Sequence, residues 1–159
     1  MNRGIFFHKT IATGFGSGYF PKAPGTAGAA LAAFLWWILS VTPLSSCALA
    51  SVTAVLIVVF TGLGVWSSGV MAAVWNDEDP SRVTIDEMVG VWIPLLAVKD
   101  GNIYYMICAF VLFRLFDIFK PFGIRKMEKI KGGWGIMMDD IVAGIYSLLI
   151  LAGIQWAIG

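Results

Sequence analysis

The sequence predicts an all-α, polytopic membrane helical bundle folded as a single domain over residues 1–159. Three observations predict it. The chain is 58% hydrophobic and only 13% charged, with a mean hydropathy of +0.82, whereas a water-soluble globule of this size needs a larger polar skin. Its apolar residues gather in five runs, the pattern of helices solvated by hydrocarbon. Nine of the 11 basic residues fall in or before alternate connections, the asymmetry that positive-inside topology produces.

The runs cover residues 27–41, 47–75, 85–98, 103–119 and 141–158, the first closed by Pro43. At 1.5 Å per residue the first and third reach only about 21–22 Å against a hydrocarbon core of about 30 Å. Those two are expected to span as short segments, borrowing flanking residues, or to be re-entrant, and the other three to span. If all five cross, connections 42–46 and 99–102 share a side with the C-terminus. The N-terminal stretch and connections 76–84 and 120–138 share the other. Arg3, Lys9, Lys22, Arg82, Lys120, Arg125, Lys126, Lys129 and Lys131 lie on that second side, Lys99 lies opposite, and Arg114 lies inside a run. The second side is therefore expected to be cytoplasmic. The acidic residues other than Asp100 lie at or near the same face. The N-terminus lacks the apolar core and cleavage site of a signal peptide and is expected to be retained.

Several function classes are excluded early. A net charge of +1 without a basic stripe argues against a nucleic-acid partner. Cys47 and Cys108 have no CxxC spacing, which argues against a zinc or disulfide framework. Cys108 and Arg114 match the Cys-x5-Arg spacing of cysteine phosphatases, but the residues between are bulky, apolar and glycine-free. A thiolate needs a backbone nest and an electropositive setting. The "DED" of Asp77–Asp79 lacks the preceding strand of an aspartyl-phosphate enzyme. His8, the single histidine, reads as a structural residue in an apolar stretch.

Three acidic sites border apolar runs: Asp86-Glu87 in "VTIDEMVG", Asp117 in "FRLFDIFKP", and Asp139-Asp140 in "GIMMDDIVAG". An uncompensated carboxylate costs several kcal/mol to desolvate. Each pair alone could merely cap a helix and complement its dipole. Three sets on one membrane face favour a shared site for a hard divalent cation such as Mg²⁺, which takes carboxylate and phosphate oxygens. Arg114, Asp117 and Lys120 recur every three residues along one helical strip, with Arg114 about a turn inside the apolar zone. An internal ion pair with a snorkelling Lys is one reading. The reading preferred here is a substrate phosphate facing Arg114 or Lys120. In "PKAPGTAGAAL", Pro-Gly makes a turn and Thr26 is placed to N-cap a helix whose free amides could hold an anion. The upstream "GFGSG" lacks the Lys and spacing of a nucleotide-binding loop.

The blocks "ATGFGSG", "PGTAG", "DPSRVTIDEMVG", "FRLFDIFKP" and "GGWGIMMDDIVAG" span residues 12–144 in order. In that order the sequence resembles the phosphatidylglycerophosphatase A family of bacterial membranes. The resemblance implies Mg²⁺-dependent removal of the terminal phosphate of phosphatidylglycerophosphate, giving phosphatidylglycerol. Thr26, Asp79, Asp86, Glu87, Arg114, Asp117, Lys120, Asp139 and Asp140 fall on positions that match the family pattern. Lys22 and Arg82 have no fixed counterpart and, with Asp79, are weaker candidates.

Residues and resemblance together lead to one expectation: a phosphatase of the bacterial inner membrane, with its site and N-terminus cytoplasmic and the substrate's acyl chains left in the bilayer. Glu87 and Asp140, with one or both of Asp86 and Asp139, are expected to hold Mg²⁺ and orient a water as nucleophile, with direct attack by an aspartate left open. Arg114, Lys120 and the amides near Thr26 are expected to bind phosphate, and Asp117 to be catalytic. Two alternatives differ in class. A Mg²⁺-dependent phospholipid head-group transferase would need an Asp-Gly start with further spaced aspartates, which is absent. A non-enzymatic transporter or assembly factor would string acids across the membrane instead of on one face.

Overall fold

The computed structural model describes residues 3–99, 101–121 and 123–158. Asp100, set apart above from the other acids, lies outside the described residues. Among the described residues six α-helices follow one another: α1 Arg3–Ala12, α2 Pro24–Ser40, α3 Ser46–Trp75, α4 Ile85–Leu95, α5 Ile103–Phe119 and α6 Gly133–Ile158. Short 3₁₀ turns at Ser17–Tyr19 and Ile124–Lys129 lie between them, and no strand occurs among the described residues.

Among the described residues, only α3 and α6 are both long and apolar enough to cross a membrane. Their most apolar windows have mean hydropathies of 2.3 and 2.0, and only 17% and 22% of those windows are buried inside the protein. Their free faces carry Val55, Val58, Leu149 and Ile158, each more than 60% exposed. An outward apolar surface of this kind needs a non-aqueous partner. The expectation of five spanning segments is therefore corrected to two such helices. The 17-residue α2 and α5 are apolar but shorter.

The correction is largest at the third segment. Helix α4 has 11 residues, about 16 Å of rise, and ten of the 11 are buried. It is walled by α2, α3, α5 and α6. Its apolarity reflects contact with protein on every side, so it forms the core of the bundle. Trp92 of α4 donates its indole N–H to the Ala32 carbonyl at 3.0 Å, and Trp36 donates to Thr53 Oγ1 at 3.0 Å. Both buried indoles thus keep a partner, as burial requires.

Two element boundaries also differ from expectation. Helix α2 starts at Pro24 with Ala23 as its N-cap, so Thr26 lies in the first turn instead of capping it. Proline at N1 fixes the helical φ without losing a needed N–H, and so starts the helix early. Helix α6 starts at Gly133, eight residues before the expected 141, so Asp139 and Asp140 lie about two turns inside it. The end of "KGGWG", expected as loop, becomes helix because Gly133 and Gly135 face backbone. A Cβ at Gly133 would run into the Val65 carbonyl, and one at Gly135 into the Ile130 carbonyl. The Ser40 side chain lies beside Gly101, which puts connections 42–46 and 99–102 at one end of the bundle, as expected.

Candidate active site

The site begins with a close crossing of α4 and α6. Gly90 has no room for a side chain: a Cβ there would strike the Phe113 ring and lie 3.0 Å from the Asp140 carbonyl oxygen. Gly144 is its counterpart, a Cβ there lying 2.5 Å from the Gly90 carbonyl oxygen. Small residues at both positions let the backbones touch. One turn before Gly90 stand Asp86 and Glu87, so the crossing carries their carboxylates to Asp140.

The result is a trio. Carboxylate oxygens of Asp86, Glu87 and Asp140 all lie within 4.8 Å of one another. Asp86 and Asp140 are 8% and 3% exposed. Like charges at that separation repel by about 3 kcal/mol per pair at an effective dielectric near 20. Three such pairs approach the whole stability of a domain, roughly 5–15 kcal/mol, so the trio needs neutralising. Glu87 Oε2 and Asp140 Oδ1 are buried and have no hydrogen-bond partner. Clustered hard oxygens with unused lone pairs fit a divalent cation.

The head of α4 is held by the N-terminal stretch. Thr84 donates its backbone N–H to the Ala12 carbonyl at 2.9 Å, and the Ser17 and Thr84 hydroxyls share a hydrogen bond of 2.9 Å. Gly18 presses against the Arg82 carbonyl with no space for a Cβ. The "GFGSG" block therefore acts as a clip on the stretch of chain leading to Asp86. Sequence reasoning did not assign it this role, because nothing in the spacing says which later segment it meets.

Helix α2 supplies the next wall. A Cβ at Gly25 would collide with Glu87 Oε1 and lie 3.5 Å from Arg114 Nη1. The first backbone hydrogen bond of α2 runs from Ala27 to Ala23, so the Gly25 and Thr26 amides precede its ladder. The positive end of α2, Glu87 and Arg114 thus meet at one point. Gly25 was also missed; its only sequence signal is its place in "PGT".

From α5, Arg114 Nη1 lies 2.6 Å from Asp117 Oδ2, the internal i,i+3 pair that the sequence offered as the alternative to a phosphate contact. Arg114 Nε is buried with no hydrogen-bond partner. Asp117 is within electrostatic reach of Glu87 and Asp140. Lys120 closes α5 with φ 45° and donates from Nζ to Asp139 Oδ2 at 2.6 Å. Asp139 is outside the trio, its Oδ1 buried without a hydrogen bond.

Of the weaker candidates, Lys22 and Arg82 are exposed on connections, and Asp79 lines a cavity near Asp139. His8 Nδ1 lies 3.2 Å from Ser67 Oγ and its ring meets Trp66 edge-on at 4.6 Å, so it belongs to the α1–α3 packing.

The profile of the phosphatidylglycerophosphatase A family matches residues 10–155. The chain belongs to that family. Membership places it among the phosphoric monoester hydrolases. It is 34% identical over 152 residues to phosphatidylglycerophosphatase A of Escherichia coli, covering 94% of this chain and 85% of the relative. The Haemophilus influenzae protein of the same name is 36% identical over 151 residues, covering 92% and 87%. A Bacteroides thetaiotaomicron protein named putative phosphatidylinositol-3-phosphatase is 54% identical over an alignment of 161 positions that covers 100% of each chain. No solved structure matches the chain.

Proposed function

We propose that this chain removes the terminal phosphate of phosphatidylglycerophosphate, with Mg²⁺ at the Asp86–Glu87–Asp140 trio, at the cytoplasmic face of a bacterial inner membrane. The observation that carries the reading is the convergence of three carboxylates, a helix N-terminus and an arginine inside a protein with an apolar exterior. Together these groups suit a phosphomonoester carried on a lipid.

Asp86, Glu87 and Asp140 hold the cation. When bound, Mg²⁺ polarises the phosphoryl oxygens and orients the attacking water. Gly25 leaves the space in which the Glu87 carboxylate stands. Arg114, aimed by Asp117, and the Gly25 and Thr26 amides neutralise charge gathering on the phosphoryl oxygens. Lys120, steadied by Asp139, adds a second cationic group near the phosphate. The acyl chains stay in the bilayer against the outer faces of the helices.

A second headgroup is favoured by one observation, the 54% identity over full length to the Bacteroides thetaiotaomicron relative. The competing substrate is then a phosphatidylinositol phosphate, with the same trio acting on the same bond type. Family membership favours either phosphatase over the head-group transferase and the transporter. The deciding experiment is phosphate release by the purified protein from both lipids, with and without Mg²⁺. Metal-dependent release is expected. Release that survives removal of all divalent ions would discard the metal, and none from either lipid would discard the substrate class.

A further inference from the structure

We propose that the trough between α2 and α5 holds an acyl chain of the lipid substrate, and that filling it selects a lipid over a soluble phosphomonoester. This rests on the lipid phosphatase reading above. The two helices meet at both ends: Gly25 lies beside Arg114, and Gly101, just before α5, lies beside Ser40. Between these contacts they part, and α2 presents only the small Ala30 and Ala33 to the gap there. The space has a volume of about 360 Å³, with Trp37 at its far end and Ile107 and Phe110 on the opposite wall. Every side chain that lines it is aliphatic, aromatic or a thioether. Ala30 and Ile107 are exposed, so the trough opens on the outer face of the bundle.

Its place and shape decide the occupant. Ala30 stands one turn after Thr26 and Phe110 one turn before Arg114, the i,i+4 spacing that puts each pair on one helix face. The upper end of the trough therefore adjoins the α2 amides and the arginine assigned to the phosphate. Ala30 to Trp37 is a rise of about 10 Å along α2, about two-thirds of one leaflet of a hydrocarbon core about 30 Å thick. Spread over that length, the volume leaves a cross-section of roughly 35 Å². A helix about 10–12 Å across is too wide for it, whereas a single hydrocarbon chain fits. A polar headgroup there would leave its hydrogen bonds unmade. The linker between the terminal phosphate and the acyl ester, two glycerol units joined by a phosphodiester, leaves the site past the start of α2. From there the chain turns down the outer face. Bulk lipid is equally apolar, so what holds the chain is close packing against rings and methyl groups. The tether to the bound phosphate favours the substrate's own chain over a neighbour's. Contact remote from the scissile bond then helps to position the phosphate, which a soluble phosphomonoester lacks.

The test is photolabelling of the wild-type protein in mixed micelles. The probe is a non-hydrolysable phosphonate analogue of phosphatidylglycerophosphate with a diazirine midway along one acyl chain. Adducts are expected within residues 30–37 and 103–110, reduced at least tenfold by excess analogue without the diazirine and unchanged by excess phosphatidylcholine. Adducts on the free faces of α3 and α6 instead, or equal competition by the two lipids, overturn the trough and leave the phosphatase reading intact. Ala30→Phe, which fills the upper trough, reads the consequence in steady-state kinetics. Its kcat/KM is expected to fall at least tenfold for phosphatidylglycerophosphate and to stay within twofold for glycerophosphoglycerophosphate, the deacylated substrate. Val58→Trp, on the exposed face of α3, is expected to change neither. An equal loss in Ala30→Phe on both substrates, or no loss on the lipid, overturns the selection. A wild-type protein that releases phosphate from neither phosphatidylglycerophosphate nor a phosphatidylinositol phosphate overturns the parent reading and this one with it.

Discussion

Glu87 is the residue on which three helices depend at once. It starts on α4, faces Asp140 of α6, and occupies the space that Gly25 of α2 leaves open. Gly25→Ala would place a methyl group against its carboxylate, and the side chain, being flexible, would move before the helices did. Alanine is also the better helix former, by up to about 1 kcal/mol. The expected outcome is a protein as stable as wild type, by thermal unfolding in detergent, whose phosphatase activity falls at least about tenfold. Lost stability with retained activity would show that the contact is only packing. Asp140→Asn tests the trio more directly, since it keeps the shape and removes a charge. Changing a group that merely orients a metal ligand costs roughly 10–100-fold, so loss of a ligand should cost at least the upper figure. Activity and Mn²⁺ affinity, read by calorimetry, should fall together. An Asp140→Asn protein that binds metal as tightly as wild type would remove Asp140 from the ligand set.

At the scale of elements, two contacts hold α6 where the site needs it. Gly133 touches the backbone of α3 at Val65, whereas a Cβ at Gly153 would meet nothing within 4 Å. Gly133→Ala should destabilise by about 1–3 kcal/mol through overpacking, and Gly153→Ala should be neutral or slightly stabilising. Equal effects from the two would argue against a close α3–α6 crossing. The second contact is the Lys120–Asp139 pair between α5 and α6, whose side chains are 20% and 12% exposed. Lys120→Met strands a mostly buried carboxylate and should cost about 3 kcal/mol. Adding Asp139→Asn should restore much of that, and a double variant no more stable than the single one would deny the coupling. These elements were unequally legible in the sequence. Residues 103–119 and 47–75 were plain because Asn102, Lys120 and Asn76 bound long apolar stretches. Helix α1 was not foreseen, its ten residues mixing Arg3, His8 and Lys9 with aromatics. The early start of α6 was hidden because glycines that permit close packing look the same as glycines of a loop. The span expected at α4 failed for a deeper reason: an apolar run records that water is absent, not whether lipid or protein replaces it. Asp86, Glu87 and Asp140 could be named from their type and place, but their meeting depends on Gly90 and Gly144, whose role appears only once the helices cross.

For the whole molecule the open quantity is which way it faces. The Asp86–Glu87–Asp140 trio, Lys120, and the cavity edge of Lys129 and Lys131 gather at one end, while connections 42–46 and 99–102 gather at the other. Basic residues crowd the site end, and it is retention of such residues on the cytoplasmic side that fixes orientation. In the proposed orientation a substrate phosphate released there enters the cytoplasm. The orientation can be read with single cysteines in a chain whose Cys47 and Cys108 have been replaced by serine, using Lys131→Cys at the site end and Thr42→Cys, exposed on the far side of α3, at the other. Lys131 is exposed on a connection, so its replacement leaves the buried trio alone. A membrane-impermeant maleimide should label the Lys131→Cys protein in inverted vesicles and not in right-side-out cells, and the Thr42→Cys protein the other way round. Labelling of both from one side would mean that the chain between them does not cross the bilayer. The opposite pattern would turn the site outward and place the reaction on the far leaflet.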